Sequence, residues 1–258
     1  MKHITSPDNP FYKELGKLAA SARQRGKTGQ TLLDGAHLLA AYLASGNVPQ
    51  HLVVTAAAQL DPEITSLLEK LPQVPLMQLD DALFARLSDL KSLSGVLALI
   101  ALPQAEMRVS QTNFCLLLEN IQDPGNLGSM LRSAAAAGCD AVFMSRGCAD
   151  AWSPKVLRAA MGGHFVLHLH EHADLLDVAS QYAGTIFAAS LSASTSLYAS
   201  RLNGKIAFAI GNEGAGLSQD LLGKTMPITI PMPGNVESLN AAAAAAICLF
   251  EAVRQRSQ

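Results

Sequence analysis

Three clusters rich in glycine and polar residues stand out in the C-terminal half of the 258-residue chain. They occupy residues 123–132, 210–218 and 230–240. Each follows an apolar run and carries asparagine, glutamate, arginine or serine side chains, which can bind an anion, a hydroxyl group or another polar ligand. The clusters are therefore the first candidates for a binding or catalytic site.

The first cluster runs from Asp123 to Arg132. Its Asp-Pro-Gly start is a turn sequence and Asn126 is a good N-cap residue, so we predict that a helix begins there. Arg132 then lies about one and a half turns into the helix. A helix N-terminus with a nearby arginine suits an anionic group such as a phosphate. An ordinary strand-turn-helix unit with a surface arginine gives the same pattern, and this cluster alone does not separate the two.

The second cluster has three glycines within six residues, Gly211, Gly214 and Gly216. Glycine permits tight turns and a close approach of the backbone to a ligand. The pattern is not a Walker A phosphate loop, because no Gly-Lys-Ser/Thr follows. It is not a dinucleotide fingerprint either, because the glycine spacing differs and Glu213 interrupts it. Taken alone, this loop identifies no ligand.

The third cluster runs from Ile230 to Asn240 and precedes six consecutive alanines, residues 241–246. We predict a strand that runs into an irregular loop, and a helix that starts near Ser238, a suitable N-cap residue. The alanines have almost no side-chain bulk, so another backbone segment can pack very close to them. A plain packing helix is the simpler interpretation of the alanines themselves.

Alternating strands and helices must position these clusters. In the C-terminal part we predict six strands, at residues 114–118, 141–145, 166–170, 185–189, 206–211 and 228–231. We predict helices near residues 127–137, 154–161, 173–182 and 218–222, and a last helix over residues 239–256. This alternation is typical of an α/β fold with a mostly parallel sheet covered by helices on both faces. Ligands of such sheets bind at the carboxyl ends of the strands, where the clusters are expected.

The N-terminal part alternates less regularly. We predict a first helix that starts at Asp8 or Asn9 and continues until Gly26 and Gly29 break it. Strands are predicted at residues 32–33, 51–55, 75–79 and 95–102, and helices at 37–44, 64–71 and 81–87. Residues 104–113 are polar, contain no periodic pattern and form the best linker in the chain. We therefore expect a small α/β domain over residues 1–103 and a larger domain over residues 114–258.

Composition indicates a globular chain, with 49% hydrophobic and 16% charged residues. No apolar run reaches the roughly 18 residues of a membrane helix, and the first residues contain no apolar stretch of the kind a secretory signal requires, so we expect a cytoplasmic protein with no membrane partner. The four cysteines form no C-x-x-C pair, which argues against a zinc site or a disulfide framework. His168, His170 and His172 alternate, but no matching ligand cluster accompanies them. We interpret them as exposed histidines at the end of an edge strand and expect no metal.

Charge is distributed unevenly near the N-terminus. Residues 13–27 contain five basic residues and one acidic residue, although the net charge of the chain is −2. A solvated helix face followed by a loop explains most stretches of this kind. A patch that contacts phosphates is the functional alternative, and charge alone does not decide between them.

In this order and spacing, the three clusters resemble the three motifs of the SpoU/TrmH family, SPOUT-superfamily enzymes that use S-adenosylmethionine to methylate ribose 2′-hydroxyls in RNA. The resemblance rests on Asn126-x-Gly128-x-x-x-Arg132, on Gly211-Asn212-Glu213-Gly214-x-Gly216-Leu217, and on Ile230-Pro231-Met232 with Ser238-Leu239-Asn240. Ser153-Pro154-Lys155 with Arg158 and Gly162 is similar to the family's linking segment. Residues 1–103 resemble, more weakly, its ribosomal-protein-like substrate-binding domain. Departures include Glu119-Asn120 in place of a frequent Asp-Gly, and Asp34-Gly35 in place of a frequent Glu-Gly.

The resemblance implies a C-terminal trefoil knot, an exception to the general absence of knots, and a homodimer formed through the knotted domain. It implies S-adenosylmethionine as cofactor, bound at Gly211, Ile230, Met232, Leu239 and Asn240. The implied catalytic set is Arg132, Asn126, Glu213, Ser238 and Asn240. RNA contacts are expected from Arg23, Arg25, Lys27, Arg132, Lys155 and Arg158.

Arg132 is the central catalytic residue by resemblance, acting either as the base or as an anchor. Because a guanidinium is effectively always protonated, anchoring the neighbouring phosphate and stabilising the developing alkoxide is the more economical role. We expect Asn126 and Glu213 to orient Arg132 and the ribose. We expect Ser238 and Asn240 to shape the cofactor pocket and to help place the substrate.

Ribosomal RNA is the expected target, because the N-terminal domain resembles that of family members that act there. Transfer RNA is an alternative target, and the sequence does not specify the nucleotide. A non-catalytic RNA-binding protein of the same fold is a second alternative, against which the intact polar positions of the motifs argue. A nucleotide-dependent oxidoreductase is a third alternative, but the sequence lacks the G-x-G-x-x-G pattern of that class.

Overall fold

A computed structural model describes residues 2–88, 90, 92–104 and 107–258. The strands in these ranges are β1 (Lys2–Ile4), β2 (Gln30–Asp34), β3 (His51–Val54), β4 (Leu76–Leu79), β5 (Val96–Ala101), β6 (Phe114–Leu118), β7 (Ala141–Met144), β8 (His168–His170), β9 (Thr185–Ala189), β10 (Ile206–Ile210) and β11 (Met226–Ile228). The α-helices are α1 (Pro10–Ala20), α2 (Ala22–Thr28), α3 (Ala36–Ala44), α4 (Pro62–Glu69), α5 (Asp81–Phe84), α6 (Pro124–Ala136), α7 (Pro154–Ala160), α8 (Leu175–Gln181), α9 (Gln219–Leu222) and α10 (Ala241–Arg256). None of the helices in the described ranges has the length and apolarity that a membrane crossing requires.

The chain divides into two compact units. The first contains the residues up to Pro103 together with the segment Trp152–Phe165. The second contains Gln104–Ala151 and Val166–Gln258. Residues 105 and 106 of the predicted linker lie outside the described residues.

A five-stranded mixed sheet, in the order β1-β4-β3-β5-β2, forms the centre of the first unit. β4 pairs in parallel with β1 and β3, whereas β5 pairs antiparallel with β3 and β2. The strands predicted near residues 32–33, 51–55, 75–79 and 95–102 are confirmed. β1 was not predicted, because three residues are too short to show a strand periodicity.

The first predicted helix is wrong in its end point. It is two helices, because Ser21 is extended and its hydroxyl accepts a hydrogen bond from the Gln24 amide, which starts α2. Gly26 lies within α2, and the left-handed Gly29 (φ 64°) ends it. α1 buries Tyr12, Leu15 and Leu18 against the sheet, which their helical spacing predicts.

The segment Trp152–Phe165 packs within the first unit although its neighbours in sequence belong to the second. The Thr31 hydroxyl donates a hydrogen bond of 2.9 Å to the Trp152 carbonyl, and the Tyr42 ring meets Phe165 edge-on at 5.1 Å. Trp152 is 5% exposed. The interpretation of this tryptophan as a packing residue is therefore confirmed.

The second unit is built on a six-stranded sheet in the order β11-β9-β10-β6-β7-β8, in which every strand pair is parallel. All residues of β6 and β10 are buried, as expected for central strands covered on both faces. The strands predicted at 114–118 and 185–189 are confirmed residue for residue. The predicted α/β fold with a mostly parallel sheet is thus confirmed.

Two helix starts differ from the prediction. α6 begins at Pro124, and the Asp123 side chain, not Asn126, caps it by accepting a hydrogen bond of 2.7 Å from the Asn126 amide. Proline is favoured in the first turn because its missing N–H would have no partner there. α10 begins at Ala241, and Asn240, not Ser238, caps it. Both shifts matter for function, because they leave the side chains of Asn126 and Ser238 free of capping.

Candidate functional site

A cleft opens at the carboxyl ends of β9 and β10. Its walls come from three segments, residues 189–191, 210–216 and 229–244. Ligands of parallel sheets bind at this end of the strands. The cleft therefore lies where a ligand site is expected.

The predicted cofactor residues Gly211, Ile230, Met232 and Leu239 all line the cleft. Asn240 is not among the lining residues; it caps α10 beside it. Gly211 is needed at its position, because a Cβ there would overlap the Gly216 carbonyl group. Glu213 and Ser238, both predicted to be catalytic, also line the cleft.

A short hairpin presents Glu213 at the cleft. Asn212 and Gly216 exchange two backbone hydrogen bonds, of 3.1 and 2.8 Å. The Asn212 side-chain oxygen accepts hydrogen bonds from the Gly214 and Ala215 amides. Gly216 has a φ of 69°, a conformation that favours glycine. These bonds fix the backbone on both sides of Glu213, whose side chain is exposed.

Three polar side chains, one from each sequence cluster, form a hydrogen-bonded chain. Asn240 Nδ2 donates to Asn126 Oδ1 at 2.9 Å. Asn126 Nδ2 donates in turn to Glu213 Oε1 at 2.6 Å. The sequence clusters at 123–132, 210–218 and 230–240 therefore converge on one site.

The direction of this chain is set by α10. Asn240 Oδ1 accepts hydrogen bonds from the Ala242 and Ala243 amides, at 2.9 and 3.1 Å. Its NH₂ group must therefore face Asn126, whose carbonyl oxygen receives it. The NH₂ group of Asn126 is then left to face Glu213, which accepts as a carboxylate.

Arg132 lies on α6 with an exposed side chain. Within the part of the chain that the structure describes, no hydrogen bond or ion pair joins its guanidinium to Asn126, Glu213 or another residue. The structure thus brings Asn126, Glu213 and Asn240 together and places Ser238 on the cleft wall. It shows no direct orientation of Arg132 by Asn126 or Glu213.

The candidate RNA contacts fall into two groups. Arg23 and Lys27 are exposed on α2, and on α7 Lys155 is exposed and Arg158 half-buried. Arg25 is only 4% exposed, and its guanidinium donates hydrogen bonds to the carbonyls of Leu18 and Ala19. These carbonyls belong to the last turn of α1, which lacks intrahelical partners. The prediction that Arg25 contacts RNA is corrected accordingly, since its head group satisfies the end of a helix.

The model of the SpoU rRNA Methylase family matches residues 113–250, more than half of the chain. The chain belongs to this family. The model of an MRM3-like substrate binding domain matches residues 9–98.

Relatives of known sequence and structure resemble the chain over almost its whole length. The 23S rRNA (guanosine(2553)-2′-O)-methyltransferase RlmP of Bacillus subtilis is 30% identical, over 97% of this chain and 98% of that protein. A crystal structure of an RNA 2′-O ribose methyltransferase is 31% identical, with a TM-score of 0.85 over 99% of this chain and 100% of that chain. The SpoU methyltransferase AviRb from Streptomyces viridochromogenes, in complex with the cofactor AdoMet, is 25% identical, with a TM-score of 0.85 over 96% and 99% of the two chains.

Sequence reasoning missed part of this SpoU-family cleft. Ser190 and Leu191, directly after β9, and Thr229, directly after β11, line it. They carry no motif of their own. The available signal was the predicted strand at 185–189, because ligands of parallel sheets bind just beyond the carboxyl ends of the strands.

The cysteines and histidines of this SpoU-family chain lie outside the site. Burial raises the pKa of Cys115 and of Cys248 to about 12, so both thiols stay protonated at neutral pH. His170 lies on the edge strand β8, where its ring stacks on Phe143 at 4.5 Å and burial lowers its pKa. His168 and His170 are half-buried and His172 is exposed, so the expectation of exposed histidines is wrong for the first two.

Proposed function

We propose that this chain transfers a methyl group from S-adenosylmethionine to a ribose 2′-hydroxyl in ribosomal RNA. The observation that carries the proposal is the hydrogen-bonded chain Asn240–Asn126–Glu213 beside the cleft. It joins one residue from each of three family motifs at the edge of the cleft. Such convergence is what a site for two substrates, a cofactor and a polar acceptor group, requires.

The cleft fits the proposed cofactor. Ile230, Met232 and Leu239 supply apolar surface for an adenine ring, and Ser190, Thr229 and Ser238 supply hydroxyl groups for polar atoms. Glu213 contributes a carboxylate, which complements the positive charge of a sulfonium. When bound, S-adenosylmethionine supplies a methyl group on that positively charged sulfur.

The residues around the cleft would orient and activate the ribose. A neutral hydroxyl is a weak nucleophile, so its proton must be removed or stabilised as the reaction proceeds. Glu213 is held from one side by Asn126, and its second carboxylate oxygen remains to accept a hydrogen bond from the acceptor nucleotide. Ser238 lines the cofactor side of the site, and Asn240 acts beside it through its hydrogen bond to Asn126.

Arg132 would act on the RNA phosphate. Its exposed guanidinium can hold a phosphate through two parallel hydrogen bonds. While it holds the phosphate, Arg132 stabilises the alkoxide that develops at the ribose 2′-oxygen, and the phosphate or a water molecule takes the hydroxyl proton. The absence of a protein partner for Arg132 among the described residues supports a role toward a ligand.

RNA recognition is assigned to residues 1–103, joined by residues 104–113 to the methyltransferase domain over 114–258. The match of residues 9–98 to a substrate-binding domain supports this assignment. Arg23 and Lys27 on α2, and Lys155 and Arg158 on α7, are the proposed phosphate contacts. The names of the relatives favour ribosomal RNA as the target.

The assembly and topology are part of the same proposal. We expect a trefoil knot in which the segment after β11 threads a loop, and a homodimer formed through the knotted domain. The close packing of α10 on α6, with Ala241, Ala242 and Ala245 buried, is compatible with such a knot. The proposed site of action is the cytoplasm, since a bacterial relative is named for 23S ribosomal RNA.

Calorimetry with S-adenosylhomocysteine and with NAD tests the cofactor. We expect the first to bind and the second not to bind, and failure of S-adenosylhomocysteine to bind would remove the methyltransferase assignment. Mapping of ribose methylation in total RNA, with and without the gene, then tests the target. A missing site in ribosomal RNA supports the proposal, whereas a missing site in transfer RNA alone would redirect it.

A further inference from the structure

Glu119 joins the end of β6 to the loop that carries Glu213. Its Oε2 accepts a hydrogen bond of 2.7 Å from the Ser218 amide, and its Oε1 accepts one of 2.8 Å from the Ser218 hydroxyl. Ser218 is the last residue of the loop 211–218, here called the Glu213 loop. One half-buried carboxylate thus holds the C-terminal end of this loop through two bonds.

The neighbouring Asn120 holds the other end of the Glu213 loop. Its carbonyl oxygen accepts a hydrogen bond of 3.0 Å from Asn212 Nδ2. Asn120 has a φ of 56°, a conformation that favours glycine. Its amide donates to the Ser145 hydroxyl at 2.9 Å, and that hydroxyl bonds back to Asn120 Oδ1 at 3.2 Å. The asparagine side chain therefore stabilises a backbone shape that glycine would adopt without help.

Capping of α9 does not by itself explain Glu119. α9 has only four residues, and Ser218 already caps it by accepting a hydrogen bond from the Leu221 amide at 3.4 Å. The bonds from Glu119 act on Ser218 itself and so on the loop before it. The Asn126–Glu213 bond of 2.6 Å depends on that loop, because a shift of one ångström would break it.

We propose that Glu119 is a positioning residue for methyl transfer. By holding Ser218, it fixes the Glu213 loop and so places the Glu213 carboxylate and the Gly211 wall of the cleft. This inference rests on the proposed function for its effect on turnover. Its effect on the loop does not depend on that function.

Two variants of Glu119 separate positioning from general stability. Glu119→Ala removes both hydrogen bonds. Glu119→Gln keeps a carbonyl oxygen for the Ser218 amide and offers an NH₂ group to the Ser218 hydroxyl. Asp140→Ala is the matched control, because it also removes two hydrogen bonds: Asp140 Oδ2 accepts bonds of 2.6 and 2.9 Å from the Asn113 and Phe114 amides at the opposite end of β6.

Hydrogen exchange on the full chain measures the loop directly. We expect amides 212–218 to exchange at least about tenfold faster in Glu119→Ala, to return close to wild type in Glu119→Gln, and to stay unchanged in Asp140→Ala. Unchanged protection of the loop in Glu119→Ala would overturn the inference, whether or not the protein binds S-adenosylhomocysteine. Failure of the wild type to bind that ligand would instead overturn the proposed function alone.

Affinity and turnover measure the consequence. We expect Glu119→Ala to weaken S-adenosylhomocysteine binding and to lower kcat by at least about tenfold each, with the KM for RNA little changed. Ser218→Ala should add little to the loss of turnover in Glu119→Ala, because the two side chains share one interaction, while the lost cap of α9 should appear as a lower Tm. Equal losses in Glu119→Ala and Asp140→Ala would reduce Glu119 to a structural role and contradict the inference.

Discussion

The side-chain amide of Asn126 donates a hydrogen bond of 2.6 Å to Glu213 Oε1, across 87 positions of sequence. Asn126 sits in the first turn of α6 and Glu213 in the loop after β10. Asn240 sets the direction of this bond. Its side-chain oxygen accepts hydrogen bonds from the first amides of α10, so its NH₂ group faces the oxygen of Asn126 and leaves the NH₂ group of Asn126 to face Glu213. The start of one helix therefore determines how a carboxylate is held at the cleft.

Asn126→Asp tests the direction of this bond. The substitution replaces the donating NH₂ group by an oxygen, which faces the Glu213 carboxylate and repels it unless a proton is shared. We expect kcat at neutral pH to fall by roughly 100-fold and to recover in part as the pH is lowered. Turnover across pH with saturating RNA measures this. Wild-type turnover of Asn126→Asp at neutral pH would show that the bond is not needed.

Asn240→Asp separates the capping of α10 from the hydrogen bond between Asn240 and Asn126. Aspartate keeps an oxygen that accepts from the Ala242 and Ala243 amides, but it lacks the NH₂ group that donates a hydrogen bond to Asn126. We expect thermal stability to stay near wild type while turnover falls. Asn240→Ala should lower both thermal stability and turnover, and the missing cap should cost about 1 kcal/mol of stability. Equal turnover in Asn240→Asp and wild type would show that the hydrogen bond from Asn240 to Asn126 does not contribute to turnover.

Arg132→Lys tests the forked contact with phosphate. Lysine keeps the charge but cannot form two parallel hydrogen bonds with one phosphate. We expect lower kcat with unchanged affinity for S-adenosylhomocysteine, because Arg132 does not line the cleft. Calorimetry and single-turnover methylation measure the two effects. Near-wild-type turnover with unchanged RNA binding would argue against Arg132 both as base and as anchor.

Arg25 and Lys27 lie on the same short helix but should behave differently. Arg25→Ala leaves the carbonyls of Leu18 and Ala19 without their partner, so we expect a loss of about 1–3 kcal/mol of stability. Lys27→Ala should leave stability unchanged and lower the salt dependence of RNA binding by about one ion. Unfolding curves and RNA titrations at several salt concentrations measure both. A stable Arg25→Ala variant with weakened RNA binding would reverse the assignment.

Glu251 gives the fold a defined acid response. Hydrogen bonds from Arg254 and Gln255 lower the pKa of Glu251 from an ordinary value of 4.5 to about 2. Because the folded pKa is depressed, this stabilisation is complete above pH 4.5 and is lost as the pH falls toward 2. Glu251→Gln should therefore lower Tm at neutral pH, and its Tm should fall less steeply than that of wild type as the pH is lowered from 4.5 to 2. Parallel Tm curves for the two proteins would contradict this role.

Several features of the site could be read from the sequence because they depend on local chemistry. Short apolar runs between helices predicted the parallel sheet, and the placement of the clusters beyond the strands predicted the edge where the cleft lies. The competition between neighbouring caps was not decided by sequence, since Asp123 and Asn126 are both good N-cap residues. The structure resolves it in favour of Asp123.

Contacts between distant residues were beyond local patterns. Nothing in the spacing of residues 13–27 distinguishes Arg25 from Arg23 or Lys27, because the burial of Arg25 depends on where α1 ends. The bonds from Glu119 to Ser218 are equally invisible in sequence, since 99 positions separate the two residues. Such contacts follow from the tertiary fold alone.

The most direct test of the central claim is transfer of labelled methyl groups from S-adenosylmethionine to ribosomal RNA taken from cells that lack the gene. The account predicts label on a ribose 2′-oxygen of that RNA with the wild-type protein, strongly reduced label with Asn126→Asp, and no label on RNA from cells that carry the gene. Label on a base, or no label on RNA from the deletion cells while S-adenosylhomocysteine binds normally, would contradict it.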